Sequence, residues 1–145
     1  MNVNIQSTVF NDNIGALLQS YDLPTSDIET GTEVLLFVAG STQKPSGVVG
    51  IQVFGETALL RSLAVSDSER GKGLGAALVH YVEQYAASLG INSIYLLTTT
   101  AAQFFEAHGY STANRTDAPT SIAGTSQFSN LCPSSSAFMV KVLRA

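Results

Sequence analysis

The stretch LLRSLAVSDSERGKGLG, residues 59–75, decides the fold. It opens as an apolar strand, passes through a short polar stretch and ends in the glycine-rich loop Arg70, Gly71, Lys72, Gly73, Leu74, Gly75. Helical spacing follows at once. Over residues 75–89, Leu78, Val82, Tyr85, Ala86 and Leu89 share one face, and Gly90 is suited to the C-terminal cap. The short apolar run 94–98 then reads as a strand buried on both faces. Residues 59–98 are thus a strand–loop–helix–strand unit. A helix start leaves backbone N–H groups without internal partners at the positive end of its dipole. Glycines let a bulky anion come close to the backbone. Arg61, Arg70 and Lys72 supply three of the seven basic residues of an acidic chain. The combination reads as a phosphate site. A plain glycine-rich turn before a helix is the bland alternative.

The kind of phosphate compound is narrowed by what is missing. No lysine-serine or lysine-threonine pair closes the loop, as a nucleoside-triphosphate loop requires. A dinucleotide fingerprint can be forced onto Gly71, Gly73 and Ala76, but the following strand ends in Thr98, Thr99 and Thr100 with no carboxylate for a ribose.

Upstream of this unit, residues 3–9 read as a strand. Asn11 or Asp12 then caps a helix running to about Tyr21, which Asp22, Leu23 and Pro24 end. Residues 34–39, 48–54 and 58–65 read as strands of an antiparallel meander, with Gly55 and Glu56 in a hairpin turn. Downstream, Thr100 and Gln103 fit a capping box for a helix over 101–107 closed by Gly109. Strands are expected over 110–113 and 137–143. Residues 114–136 are rich in Ser, Thr, Gly and Pro, with Ile122, Phe128 and Leu131 as apolar anchors, and are long enough to suggest a functional loop. The expected fold is therefore a single α/β domain over 1–145.

Composition agrees with a globular chain: 145 residues, 45% apolar and only 12% charged, net charge −4. An acidic balance argues against nucleic acid as partner. Apolar runs are strand-sized, so no membrane span is expected, and the first residues lack a signal-peptide pattern. A cytoplasmic protein, with a surface compatible with a homodimer, is the expectation. One cysteine, Cys132, and two histidines, His80 and His108, leave no internal disulfide and no expected metal site.

The loop, with Arg70, Gly73 and Gly75 at the spacing of an Arg or Gln, two residues, Gly, one residue, Gly or Ala, resembles the pyrophosphate loop of the Gcn5-related N-acetyltransferase (GNAT) family. So do the strand before it and the later residues 102–110. The stretches LLRSLAV, LLTTTAAQFF and TSQFSNLCP resemble more narrowly a bacterial branch labelled arsenic-resistance N-acetyltransferases. One cysteine gives no soft-ligand site for a metalloid itself.

The resemblance implies a mixed, mostly antiparallel sheet with flanking helices and a central parallel strand pair, 58–65 and 94–98, and acetyl-CoA as co-substrate lying where that pair splays apart. Leu63, Ala64 and Val65 would hold the pantetheine arm through main-chain groups. Arg70, Gly71, Lys72, Gly73, Leu74 and Gly75 would hold the pyrophosphate, and Phe104 and Phe105 would lie along the arm or simply pack in the core. An amine would attack the thioester directly, with the Val65 N–H as oxyanion donor.

Two departures from the family pattern leave acid and base open. Phe105 stands where many relatives have a tyrosine acid, and the central strand carries Arg61 and Ser62 in place of a glutamate base. Tyr110, Ser62, Thr99 and Thr100 are the candidates to move protons, and bulk water could suffice because a thiolate leaves readily (thiol pKa about 8.5). Arg61, with Arg115, Thr125 and Gln127, is the candidate substrate site for a small amine that also carries an acid group. The bland alternative pairs Arg61 with a carboxylate such as Glu56. A non-catalytic acyl-CoA sensor and a protein or peptide N-acetyltransferase are the competing functions.

Overall fold

The computed structural model describes residues 4–21, 23, 25–29, 33–99, 101–125, 128 and 136–143. The chain lays down β1 (Ile5–Thr8), α1 (Asp12–Gln19), the one-turn α2 (Ser26–Glu29), β2 (Leu35–Gly40), β3 (Pro45–Phe54) and β4 (Thr57–Val65). Then follow α3 (Leu74–Ser88), β5 (Ser93–Thr98), α4 (Ala102–Ala107), β6 (Ser111–Thr112), α5 (Thr120–Ala123) and β7 (Ala137–Val142). Seven strands form one sheet in the order β1-β2-β3-β4-β5-β7-β6. Only β4 and β5 run parallel; every other pair is antiparallel. The mostly antiparallel sheet with one central parallel pair is thus borne out.

Helix α3 buries Leu74, Leu78, Val79, Val82 and Ala86 against one sheet face, where Phe37, Val49, Ile51, Leu60 and Ile94 meet it. Gly47 permits this approach, since a Cβ there would lie 2.9 Å from Leu78 and 3.1 Å from the Ala64 carbonyl. Leu89, expected on the buried face, is 49% exposed. The helix stops first: Gly90 at φ 82° turns the chain, the Gly90 and Ile91 N–H groups bond back to Ala87 and Ala86, and Ile91 takes the buried place. On the opposite face α1 packs Ile14 and Leu18 on Leu36, Val48 and Ala64. Its cap is Asn11, whose Oδ1 accepts from the Ile14 N–H at 2.8 Å.

The decisive irregularity lies in β4. Val48 pairs with Ala64 and Gly50 with Arg61, so two residues of β4, Ser62 and Leu63, oppose the single Val49. Ser62 there has φ 60°, the one described non-glycine residue with positive φ. Such a bulge shifts side-chain alternation by one. Ala58 and Leu60 therefore face α3, whereas Ala64 faces α1. At the same point the parallel pairing ends. It runs from Thr57 with Ser93 to Leu60 with Leu96 and no further, although β4 continues to Val65 and β5 to Thr98. The two strands part there.

Several expected boundaries move. Strand β3 starts at Pro45 rather than 48, because proline is tolerated as a first strand residue. The strand expected over 110–113 shrinks to Ser111–Thr112 at the sheet edge. The long segment after it contains a 3-10 turn (Arg115–Asp117) and α5, whose Ile122 is fully buried with Leu59 and Phe138. Thr100 of the expected capping box lies outside the described residues; the Thr98 hydroxyl accepts from the Ala101 N–H at 3.0 Å.

Candidate active site

Where β4 and β5 part, a cleft of about 970 Å³ opens. One end is the glycine loop. Gly73 is the N-cap of α3 in the left-handed region (φ 80°, ψ 11°), and the Ala77 N–H is the one that bonds to its carbonyl. The N–H groups of Leu74, Gly75 and Ala76 therefore start the helix without intrahelical partners, and these residues line the cleft. A Cβ added at Gly71 or Gly73 would meet nothing within 4 Å. The loop is thus an open cradle of donors at a helix dipole's positive end, which fits an anionic group.

Arg70 also lines the cleft. Its guanidinium sits 4.7 Å over the Tyr21 ring and 3.3 Å from Asp67, while the Tyr21 hydroxyl donates to Asp67 at 2.6 Å. Lys72 is not among the lining residues; its ammonium faces Glu69 at 3.8 Å. Both basic side chains stand at a mostly exposed rim, where a phosphate can displace their weak carboxylate contacts.

From the loop, the cleft runs along Val65, Ala64 and Leu63 of β4, with Leu96, Leu97 and Thr98 of β5 opposite and Phe104 and Phe105 of α4 at the side. The Ser66 N–H bonds to the Ser46 carbonyl at 2.8 Å. Because N–H groups alternate along a strand, the Val65 N–H points away from β3 and into the gap. Phe105 is 4% exposed and packs on Phe104 and Tyr110, so it serves the core and the cleft wall together.

The inner end of the cleft is the bulge. Arg61 and Ser62 line it, yet Arg61 is buried behind a polar network. Its Nη1 pairs with Asp27 Oδ2, its Nη2 donates to Asp27 Oδ1 at 2.8 Å, its Nη1 to Gln52 at 3.2 Å and its Nε to Ser62 Oγ at 3.1 Å. Asp27, on α2, was not singled out from sequence; nothing local marks it. Glu56, the carboxylate nearest in sequence, accepts instead from the Asn92 side chain at 3.2 Å. Ser20, Tyr21 and Leu23 add the end of α1 to the cleft wall, with the Tyr21 ring on the loop side, under Arg70.

The remaining candidates stand elsewhere. Tyr110 does not line the cleft. Its hydroxyl donates to Glu83 Oε2 at 3.0 Å, and Lys141 pairs with Glu83 Oε1 at 3.0 Å. Burial first, then the Glu83 charge, pushes the phenol pKa far up, which makes it a poor acid. Tyr110→Phe is therefore expected to leave kcat unchanged and to cost about 0.5–1.5 kcal/mol in urea unfolding, the worth of one hydrogen bond. A large fall in kcat would return Tyr110 to the chemistry. Arg115 donates to the Ser136 carbonyl at 2.8 Å and lies 5.4 Å over the Phe128 ring. Thr125 donates to the Ile122 carbonyl at 2.7 Å. Neither lines the cleft, because their segment folds onto the Ile122–Phe138 cluster. Gln127 and Cys132 lie outside the described residues. Among the described residues no three His, Cys, Asp or Glu side chains could hold a metal, and no helix is long and apolar enough to cross a membrane.

A model of the acetyltransferase (GNAT) family matches residues 7–110. Among solved structures, N-acetylglutamate synthase from Neisseria gonorrhoeae, complexed with coenzyme A and N-acetyl-glutamate, superposes with a TM-score of 0.81 at 18% identity, covering 100% of this chain but only 36% of that protein. Rv2747 from Mycobacterium tuberculosis in complex with CoA gives a TM-score of 0.74 at 20% identity, with 97% and 99% of the two chains covered. An aminoglycoside 6'-N-acetyltransferase from Enterococcus faecium gives 0.69 at 18%, with 98% of each covered. At these identities the likenesses speak for the fold.

Proposed function

The chain belongs to the GNAT family of acetyltransferases, and on that premise we propose that it transfers the acetyl group of acetyl-CoA to the amine of a small molecule. The observation that carries this reading is the single cleft that joins the glycine loop to the parted strands. Amides of the loop 70–75 hold the pyrophosphate, main-chain groups of Leu63, Ala64 and Val65 hold the pantetheine arm, and Phe104 and Phe105 flank it. The acyl end then lies at the bulge. The Val65 N–H serves as oxyanion donor, since a preorganised backbone donor acts where charge develops. Ser20, Tyr21 and Leu23 add a third side to the cleft, and a walled cleft suits a compact amine better than an extended peptide. The likeness to the arsenic-resistance branch rests on three short stretches and names no acceptor.

The body of the acceptor follows from Arg61. A substrate acid would need the guanidinium fork, and that fork holds Asp27. An amine whose acid group is dispensable is therefore the favoured class. The test is thiol release from acetyl-CoA with a panel of amines that includes amino acids and their methyl esters. Turnover with acid and ester at comparable rates is the expected result. A strong preference for the free acid, lost in Arg61→Lys, would restore the acid-binding role. Absence of release across the panel, with acetyl-CoA bound, would favour the sensor reading, which the phenylalanine at position 105 supports.

A further inference from the structure

Ser62 occupies a place that a serine fills at a cost. Its φ of 60° is strained for any residue with a Cβ, and glycine would avoid the strain. What serine adds over glycine is one hydroxyl, and the structure aims it. The Ser62 oxygen takes a hydrogen bond from the Arg61 Nε–H at 3.1 Å, and Arg61 is fixed in turn by Asp27 and Gln52. An oxygen that accepts from a cation keeps its own proton for a second partner and is polarised toward an anionic one. Ser62 is among the residues lining the cleft where β4 and β5 part, so the cleft can supply that second partner.

We propose that the Ser62 hydroxyl, aimed by the buried Asp27–Arg61–Gln52 network, donates a hydrogen bond to the sulfur of the bound cofactor and stabilises the thiolate as it departs. This rests on the acetyl-CoA reading of the cleft. The amine nitrogen bonds to the acyl carbon, the carbon–sulfur bond breaks, and its electron pair stays on sulfur. The nitrogen loses its proton to water, and the thiolate takes one from water. Ser62 keeps its proton throughout and supplies the stabilisation that Phe105 cannot. Asp27, Gln52 and Arg61 are positioning residues.

The experiment needs no acceptor. CoA is bound to the protein and its thiol is titrated by thiolate absorbance in the ultraviolet. The wild-type complex is expected to titrate below free CoA measured in the same way, because a donor to sulfur favours the thiolate. In Ser62→Gly the midpoint should rise by about one unit, the size of one hydrogen bond to a charged group. The charges of Arg61, Asp27, Glu69 and Arg70 are all retained in that variant, so the shift isolates the hydroxyl. The melting temperature should hold or rise, because glycine relieves the positive φ. Ser62→Ala, which keeps the strain, should give the same midpoint as Ser62→Gly. With an amine the enzyme accepts, kcat should fall about 10–100-fold in both variants while KM for acetyl-CoA moves little. Equal midpoints in wild type and Ser62→Gly, with CoA bound to both, overturn the role of Ser62 and leave the acetyl-CoA reading standing. Failure of the wild-type protein to bind CoA overturns both.

Discussion

Asp27→Ala is expected to lower stability by about 3–5 kcal/mol, the usual cost of stranding a buried charge. The side chains of Arg61 and Asp27 are 1% and 5% exposed. Neither can recover hydration when its partner is removed. Gln52 and Ser62 would still accept from the guanidinium, but neutral acceptors do not cancel its charge. For a chain of this length the loss corresponds to a fall in melting temperature of roughly 10–15 °C. The ion pair at the cleft's other end is the control. Arg70 and Asp67 are 58% and 89% exposed, and such surface pairs contribute about 0–1 kcal/mol, so Asp67→Ala should barely move the transition. Replacing both partners, Arg61→Met with Asp27→Leu, should recover much of the loss, because two apolar side chains leave no charge behind. Calorimetry on the four proteins measures all of this. An Asp27→Ala transition within about 3 °C of wild type would mean that water reaches Arg61 and that the network is not dry.

What the sequence discloses and what it hides follow one physical division. The loop 70–75, helix α3 and strand β5 depend on local pattern: glycines where φ turns positive, apolar spacing of one helix turn, an apolar run of strand length, although β5 fully buries only Ile94 and Leu96 and leaves Tyr95 and Leu97 half-buried on its other face. Those were legible, and the parting of β4 from β5 followed from the family likeness. The bulge was not. A serine can take a left-handed conformation, but nothing around Ser62 announces it, and the inversion of β4's faces follows from that one residue. The partner of Arg61 was equally hidden. Glu56 is close along the chain, whereas Asp27 is brought in by tertiary packing from 34 residues away. Tyr110 sat near the right helix in sequence, yet its hydroxyl is taken by Glu83 from α3. Arg115 and Thr125 were drawn from the polar character of their segment. Composition does not say that Ile122 and Phe128 anchor that segment onto the Phe138 side of the sheet.

Gly73→Val is expected to abolish cofactor binding. Two effects act together. Gly73 holds φ 80°, which a branched residue adopts only with strain of about 1–3 kcal/mol. Its Cβ position opens onto empty space beside the first N–H groups of α3, so the new methyl groups fall where the pyrophosphate must sit. Strain alone would lower stability and leave a usable loop; obstruction alone would lower affinity without touching stability. Gly73→Ala separates the two, since it carries most of the strain and little of the bulk. Acetyl-CoA at about 100 times its Kd should stabilise the wild-type protein by about 2.7 kcal/mol through mass action, a rise of roughly 8–10 °C in melting temperature. The rise should persist, reduced, in Gly73→Ala and vanish in Gly73→Val. ATP and NADH share the pyrophosphate but lack the arm that lies along Leu63, Ala64 and Val65, so their effect on the wild-type protein should be small. A larger rise with either than with acetyl-CoA would show that the loop serves a different nucleotide. An undiminished rise in Gly73→Val would place the phosphates away from α3 altogether.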